Sequence, residues 1–233
     1  MINVNSFNVS TLGSRNSKSF LKVEGITQFK HDVIFMCDCR LKDKGEDIKK
    51  LLGLNRNASY KLYVNSSRES RGVAIAIKRN ISHEVLETYC TEDQNVILCK
   101  IKIKQCLFTI GSIYGPNENN PGFFVRLKDK IVEWGLPFIV GGDFNTILDH
   151  SVGGGNLDRE GGMRIPNQRN GEEILNWIST GNAVDPFRAL YPEQREFSYI
   201  PFRHDINRAA VLGKSRLDFF LIDRELKGLS HEN

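Results

Sequence analysis

Apolar positions along the chain follow two periods. Short unbroken blocks stand at Asp32 to Cys37 (DVIFMC), Gly72 to Ile77 (GVAIAI) and Leu136 to Val140 (LPFIV). A block of this length with no polar face is the pattern of a strand covered on both sides. Strands are also predicted over Ile2 to Val9, Tyr60 to Val64, Val85 to Tyr89, Val96 to Ile103, Cys106 to Tyr114, Glu196 to Ile200 and Arg216 to Ile222. The tight connections between Val85 and Tyr114 predict antiparallel neighbours. Helical spacing appears over Lys18 to Phe29, Asp47 to Leu54, Phe123 to Trp134 and Glu172 to Ser179. In the third of these Phe124, Leu127, Ile131 and Trp134 share one face. The glycine-rich, charged stretch Ser151 to Arg169 reads as a surface loop, as does Asn65 to Arg71. No internal repeat or linker interrupts the pattern, so residues 1–233 are expected to form a single domain.

The chemistry gathers where strands stop. Gly141 and Gly142 close the Leu136 to Val140 block, and Asp143 and Asn145 follow at once. A carboxylate and an amide two residues apart suit proton transfer to a phosphate oxygen and hydrogen bonding of it; the same residues suit a plain strand exit. Asp38 ends the DVIFMC block, and Asn8 stands near the end of the first strand. Tyr114 and Asn117, on either side of a Gly-Pro turn, offer a phenol and an amide at another strand end. Asp218 sits among apolar neighbours in RLDFFLI, where an isolated carboxylate is costly. It pairs with Arg216 or another base, or it orients a histidine or a metal-bound water; sequence position leaves both open.

Composition narrows the class. Of 233 residues, 40% are hydrophobic and 26% charged, which excludes disorder. No apolar run approaches the length that spans a bilayer, so no membrane partner is expected. MINVNSFNVS has neither the basic nor the apolar region of a secretory leader. Five cysteines, an odd number lying mostly in apolar runs, point to reduced thiols. A net charge of +4 permits a polyanionic partner without demanding one.

The order Asn8, DVIFMCD, GVAIAI, IYGPN, GGDFN, FSY and SRLDFFLI resembles the DNase I-like exonuclease/endonuclease/phosphatase superfamily over essentially the whole chain. Within it the phrases PFIVGGDFNTILD, VDPFRALYPEQREFSYIP and SRLDFFLI are similar to the apurinic-type endonuclease domain of non-LTR (LINE-type) retrotransposons. The resemblance implies an α/β four-layer sandwich, two mostly antiparallel sheets packed face to face and flanked by helices. It also implies a Mg²⁺ (or Mn²⁺) dependent endonuclease that nicks one DNA strand and leaves a 3′ hydroxyl for a downstream reverse transcriptase domain, acting in the nucleus after synthesis in the cytoplasm.

Carried over motif by motif, Asp143 orients the nucleophilic water or protonates the leaving 3′ oxygen. Asn145, Tyr114 and Asn117 contact the scissile phosphate, and Asn8 supports the site. Asp38 stands where the family has its metal-binding glutamate, and Asp218 matches the acid that orients the catalytic histidine. Ser198 is expected to face the cleft from the FSY strand. Arg203, Arg208, Lys214 and Arg216 are expected near DNA phosphates.

Three departures accompany the resemblance. Asp38 is one methylene shorter than glutamate. Ser10 stands near where the family often has Asp or Asn. The terminal Ser-Asp-His motif is missing, since His231 in LSHEN comes too early and lacks the preceding Asp. Either the domain is truncated before that motif, or it is a relative that binds DNA with little or no cutting; a lost histidine base would cost roughly 100- to 10,000-fold in rate. His31, His83, His150 and His204 read as exposed or structural, with His150 a remote candidate. A small-molecule or lipid phosphodiesterase is a third reading, disfavoured by the retrotransposon-like phrases.

Overall fold

The computed structural model describes residues 2–9, 31–41, 60–66, 71–148, 151–152, 155–161, 167–200 and 213–229. The helices expected at 18–29 and 47–54 lie outside the described residues, as do Ser10, His150, Arg203, His204, Arg208 and His231. The class is α/β, and its two large sheets are mixed, of four and six strands. The backbone divides into two compact units, Met1–Tyr114 with Val140–Asp143, and Gly115–Ile139 with Phe144–Asn233.

The first unit holds β1 (Val4–Asn8), β2 (Val33–Cys37), β3 (Tyr60–Asn65), β4 (Val73–Lys78), β5 (His83–Cys90), β6 (Val96–Ile103) and β7 (Cys106–Tyr114). It also holds the Val140–Asp143 end of β8 (Phe138–Asp143). Four strands form a sheet in the order β1-β2-β4-β3, with β1 and β2 parallel and the other pairs antiparallel. Every residue of β2 and the first five of β4 are buried, as unbroken apolar blocks require. Their covered face meets β6 and β7, and the Ser112 hydroxyl donates to Met36 O over 3.0 Å. That pairing satisfies a hydroxyl that would otherwise be costly inside a sandwich. Strands β5, β6 and β7 form an antiparallel meander, with β8 beside β7. Gly142, at φ 150°, lies so close to β7 that a Cβ there would stand 2.0 Å from Ile113 O. Only glycine fits such an approach.

The second unit contains α1 (Pro121–Trp134), α2 (Gln168–Ser179), β12 (Ala183–Val184), α3 (Pro186–Leu190) and β14 (Asp218–Asp223). Short ribbon strands β9 (Ser151–Val152), β10 (Gly155–Asn156), β11 (Arg159–Glu160) and β13 (Lys214–Ser215) complete it, with a 3₁₀ turn at Arg224–Leu229. Helix α1 starts with Pro121 and ends at Gly135, whose left-handed backbone donates to Ile131 O and Val132 O. It buries Phe123, Phe124, Leu127, Ile131 and Trp134, the face that the spacing predicts. Phe124 stacks on Phe144 at 6.1 Å, and Phe144 on Phe219 at 3.8 Å, so the residue after Asp143 is an aromatic anchor.

Three sequence expectations need correction. Glu196 to Ile200 is no strand, since only Tyr199 bridges, to Ser215; Ser198 Oγ instead accepts the backbone N–H groups of Leu217 and Asp218. The last strand begins at Asp218, because Arg216 turns into a buried ion-pair cluster. The loop expected over Ser151 to Arg169 carries the ribbon strands β9, β10 and β11, and α2 starts at Gln168. A Cβ on Gly171 would meet Ile147 O at 2.5 Å, which explains a glycine inside that first turn.

Candidate active site

In the first unit Asn8, Asp38, Tyr114 and Asp143 each stand at, or one residue past, the carboxyl end of their strand. Asn8 pairs in register with Cys37, which sets it beside the strand that ends in Asp38. Asn8 Nδ2 donates to Asp143 Oδ2 over 2.8 Å. Asp143 is 6% exposed and Asn8 is exposed, so this amide bonds the carboxylate at a part-buried strand end.

Asp38 is 5% exposed and adopts φ 55°. Its two oxygens accept from Arg40, Oδ1 from Nε at 2.8 Å and Oδ2 from Nη2 at 3.3 Å. The Arg40 guanidinium is held above its usual value by this hydrogen bond and by the Asp38 charge. Above Tyr114 sits a second guanidinium, that of Arg71, 5.2 Å from the ring centre. Asp38 and the Tyr114 phenol therefore each lie beside a cation, a setting that suits an anionic phosphate.

Among the described residues no three His, Cys, Asp or Glu side chains converge as a metal cluster. A hard divalent ion bound by one carboxylate and completed by water needs no such cluster. The buried Asp38 carboxylate has the oxygen donors such an ion takes, both of them engaged by Arg40.

In the second unit Asn145, at φ 51°, donates from Nδ2 to Gly115 O over 2.8 Å. Its own carbonyl accepts from Asn167 Nδ2 at 2.7 Å, and the same amide reaches Pro116 O at 3.1 Å. A Cβ on Gly115 would lie 2.0 Å from Phe144 O, so the GPN and DFN turns interlock only with glycine there. Asn117 is exposed on the first of these turns. Phe144 N donates to Leu217 O over 2.8 Å, tying the same turn to the residue before Asp218.

Ser198, exposed, caps that residue and the next with two 2.9 Å bonds. The Asp218 carboxyl is pushed above its usual value by burial, with the Ser198 hydrogen bond opposing. Its Oδ1 is buried with no hydrogen-bond partner among the described residues.

Arg216 departs from the expected phosphate contact. It is 4% exposed, its Nε and Nη2 bind both oxygens of Asp158 at 2.7 and 3.1 Å, and Nη2 reaches Asp185 Oδ2 at 2.5 Å. Asp158 also accepts from Arg188, and Phe187 and Phe219 cover the Arg216 guanidinium. Burial acts to lower its ionisation, but the two aspartates hold it above the usual arginine value. Two acids and two bases pair inside the fold, and the Arg216 guanidinium, bound at Nε and Nη2 and covered by two rings, is not presented to DNA.

His31 and His83 are built into the first unit, against Asn5 at 3.0 Å and Tyr63 at 3.1 Å. Sequence reading missed Arg40, Arg71 and Asn167. Arg40 was open to discovery, standing two residues past an acid in a turn; Asn167 carried no local signal, because its partners are 22 and 51 residues away.

No protein-family model matches the chain. Among solved structures it is similar to an AP endonuclease from Archaeoglobus fulgidus, with TM-score 0.71 and 18% identity over 98% of this chain and 89% of that one. The AP endonuclease LMAP from Leishmania major gives TM-score 0.70 and 17% identity over 97% and 80%. The 3′ phosphatase NExo from Neisseria, solved with a product DNA hairpin, gives TM-score 0.70 and 14% identity over 98% and 89%. The chain shares the DNase I-like fold of these proteins.

Proposed function

We propose that the chain is a metal-assisted DNA phosphodiesterase, a nuclease that nicks one strand to leave a 3′ hydroxyl. The observation that carries this reading is the part-buried Asn8–Asp143 hydrogen bond between two strand ends, with Asp38 one register step from Asn8. The similarity of fold to AP endonucleases and to a 3′ phosphatase supports it.

In hydrolysis a water oxygen forms a bond to phosphorus while the bond from phosphorus to the 3′ oxygen breaks. Asp143, oriented by the Asn8 amide, accepts the proton of the water or returns one to the leaving oxygen. The Tyr114 phenol donates to a phosphate oxygen. Mg²⁺ or Mn²⁺ held at Asp38 would supply charge neutralisation at the phosphate as negative charge develops. The resemblance implies phosphate contacts for Asn145 and Asn117 and a histidine-orienting role for Asp218, whereas Ser198 is taken up by the backbone N–H groups of Leu217 and Asp218.

The phrases PFIVGGDFNTILD and SRLDFFLI support a retrotransposon setting, in which the nick primes reverse transcription by a partner domain in the nucleus. A second reading, DNA binding with little cutting, draws on Asp218. Its buried, unpartnered oxygen is an acid with no histidine to orient among the described residues.

Supercoiled plasmid incubated with the protein and Mg²⁺, alongside EDTA and Asp143→Ala, tests the proposal. Nicking that needs both Mg²⁺ and Asp143 is the expected result. Equal cleavage by the variant would sink the assignment, and tight DNA binding with no nicking would establish the second reading.

A further inference from the structure

The turn after β2 is built in a costly way. Asp38 and Arg40 both lie at positive φ, 55° and 49°, a region that side chains other than Gly, Asn and Asp rarely adopt. Neighbours hold them there. Cys39 is fully buried and donates from N to Gly72 O at 3.0 Å, Arg40 N donates to Arg71 O at 2.8 Å, and Leu41 N donates to Ser66 Oγ at 2.9 Å. The effect of this strain is to fold Arg40 back so that its fork spans both oxygens of Asp38.

The two partners differ in freedom. The Asp38 side chain is 7% exposed, whereas that of Arg40 is 53% exposed and can swing into water at small cost. A divalent ion and a guanidinium on one carboxylate would repel, and the exposed partner is the one that leaves.

We propose that Arg40 is an internal counter-ion of Asp38 that a divalent cation must displace. Arg40 thereby sets the ion concentration at which the site loads. Without the ion, it spares the protein a buried, uncompensated carboxylate. This inference rests on the reading of Asp38 as the metal carboxylate.

The test is a Mn²⁺ titration of the folded protein without DNA, with free Mn²⁺ read from its electron paramagnetic resonance signal. Wild type, Arg40→Gln, Arg71→Gln and Asp38→Asn are compared. Arg40→Gln is expected to bind Mn²⁺ roughly three- to tenfold more tightly than wild type, the range of a partly exposed, charge-assisted pair. Arg71→Gln, which removes the same charge without removing a hydrogen bond to Asp38, is expected to tighten binding by less than Arg40→Gln does. Asp38→Asn is expected to lose the site.

Unchanged or weaker binding by Arg40→Gln, with Asp38→Asn still losing the site, overturns the displacement and leaves the metal assignment standing. Equal tightening by Arg71→Gln overturns it too, in favour of a general field. Wild-type binding by Asp38→Asn removes the metal assignment and the inference together.

Discussion

Asn8 and Asp143 are 135 residues apart in sequence and 2.8 Å apart at their hydrogen bond. One ends a strand of the four-stranded sheet, the other ends β8, and the amide decides where the acid points. Asn8→Ala is expected to lower the nicking rate by about ten- to a hundredfold with DNA affinity little changed, the usual effect of loosening a catalytic group. Asn8→Asp would set two carboxylates within hydrogen-bonding distance, so that one of them keeps its proton to higher pH and the pH profile of nicking moves upward. Plasmid nicking from pH 5 to 9 separates the two variants; an unchanged Asn8→Ala rate would detach Asn8 from the chemistry.

Arg216 is predicted to act on stability rather than on DNA. Arg216→Met leaves Asp158 and Asp185 short of a buried partner and is expected to cost about 3–5 kcal/mol in urea unfolding. Lys214→Ala, which breaks an exposed pair with Glu160, should leave the unfolding midpoint nearly unchanged. A fully stable Arg216→Met that binds DNA weakly would restore the phosphate-contact role.

Asp218 makes stability depend on pH. Its folded carboxyl holds its proton more tightly than the unfolded one, whose usual value is 3.8. Stability is therefore greatest below that value and falls as pH rises through the raised one. Asp218→Asn removes the dependence, so its melting temperature should exceed that of wild type at pH 7. The gap should close as pH falls toward 3.8, and differential scanning fluorimetry across pH 4 to 8 measures it. A wild type more stable than the variant at pH 7 would mean that the ionised carboxylate is well compensated.

The thiols divide by place. None of the five cysteines forms a disulfide; Cys90 and Cys106 are exposed, while Cys37, Cys39 and Cys99 are buried. Burial pushes the Cys99 thiol up to about 12 and that of Cys39 higher still. Only thiolates react, so an aromatic disulfide reagent should titrate Cys90 and Cys106 in the native protein and the remainder only after denaturation. Rapid loss of all five thiols would show that the β2 and β6 core opens readily.

Much of the fold was legible because it is written in local periods. The unbroken apolar blocks of β2, β4 and β8 and the one-sided face of α1 need only a few consecutive residues to be seen. The ends of β2 and β8 marked Asp38 and Asp143, and the end of β7 marked Tyr114, since polar residues that follow an apolar block stand where the strand gives way to a turn. Glu196 to Ile200 misled for the same reason: alternation promised a ladder, but Ser198 gives its oxygen to the Leu217 and Asp218 amides and only Tyr199 pairs.

The sequence by itself determined which residue types stand at strand ends, and therefore the acids, amides and phenol available to the site. Only the tertiary structure decided how they are used. Arg216 reads as a surface base until Asp158 and Asp185, 58 and 31 residues away, enclose it. Asn8 becomes a support for Asp143 only when two distant strands end side by side, and Asp38 meets its counter-ion only because Gly72 and Arg71 hold a strained turn in place. Hydrogen bonds and ion pairs act over about 3 Å of space whatever the separation along the chain, so partners that folding brings together leave no periodic trace in the sequence.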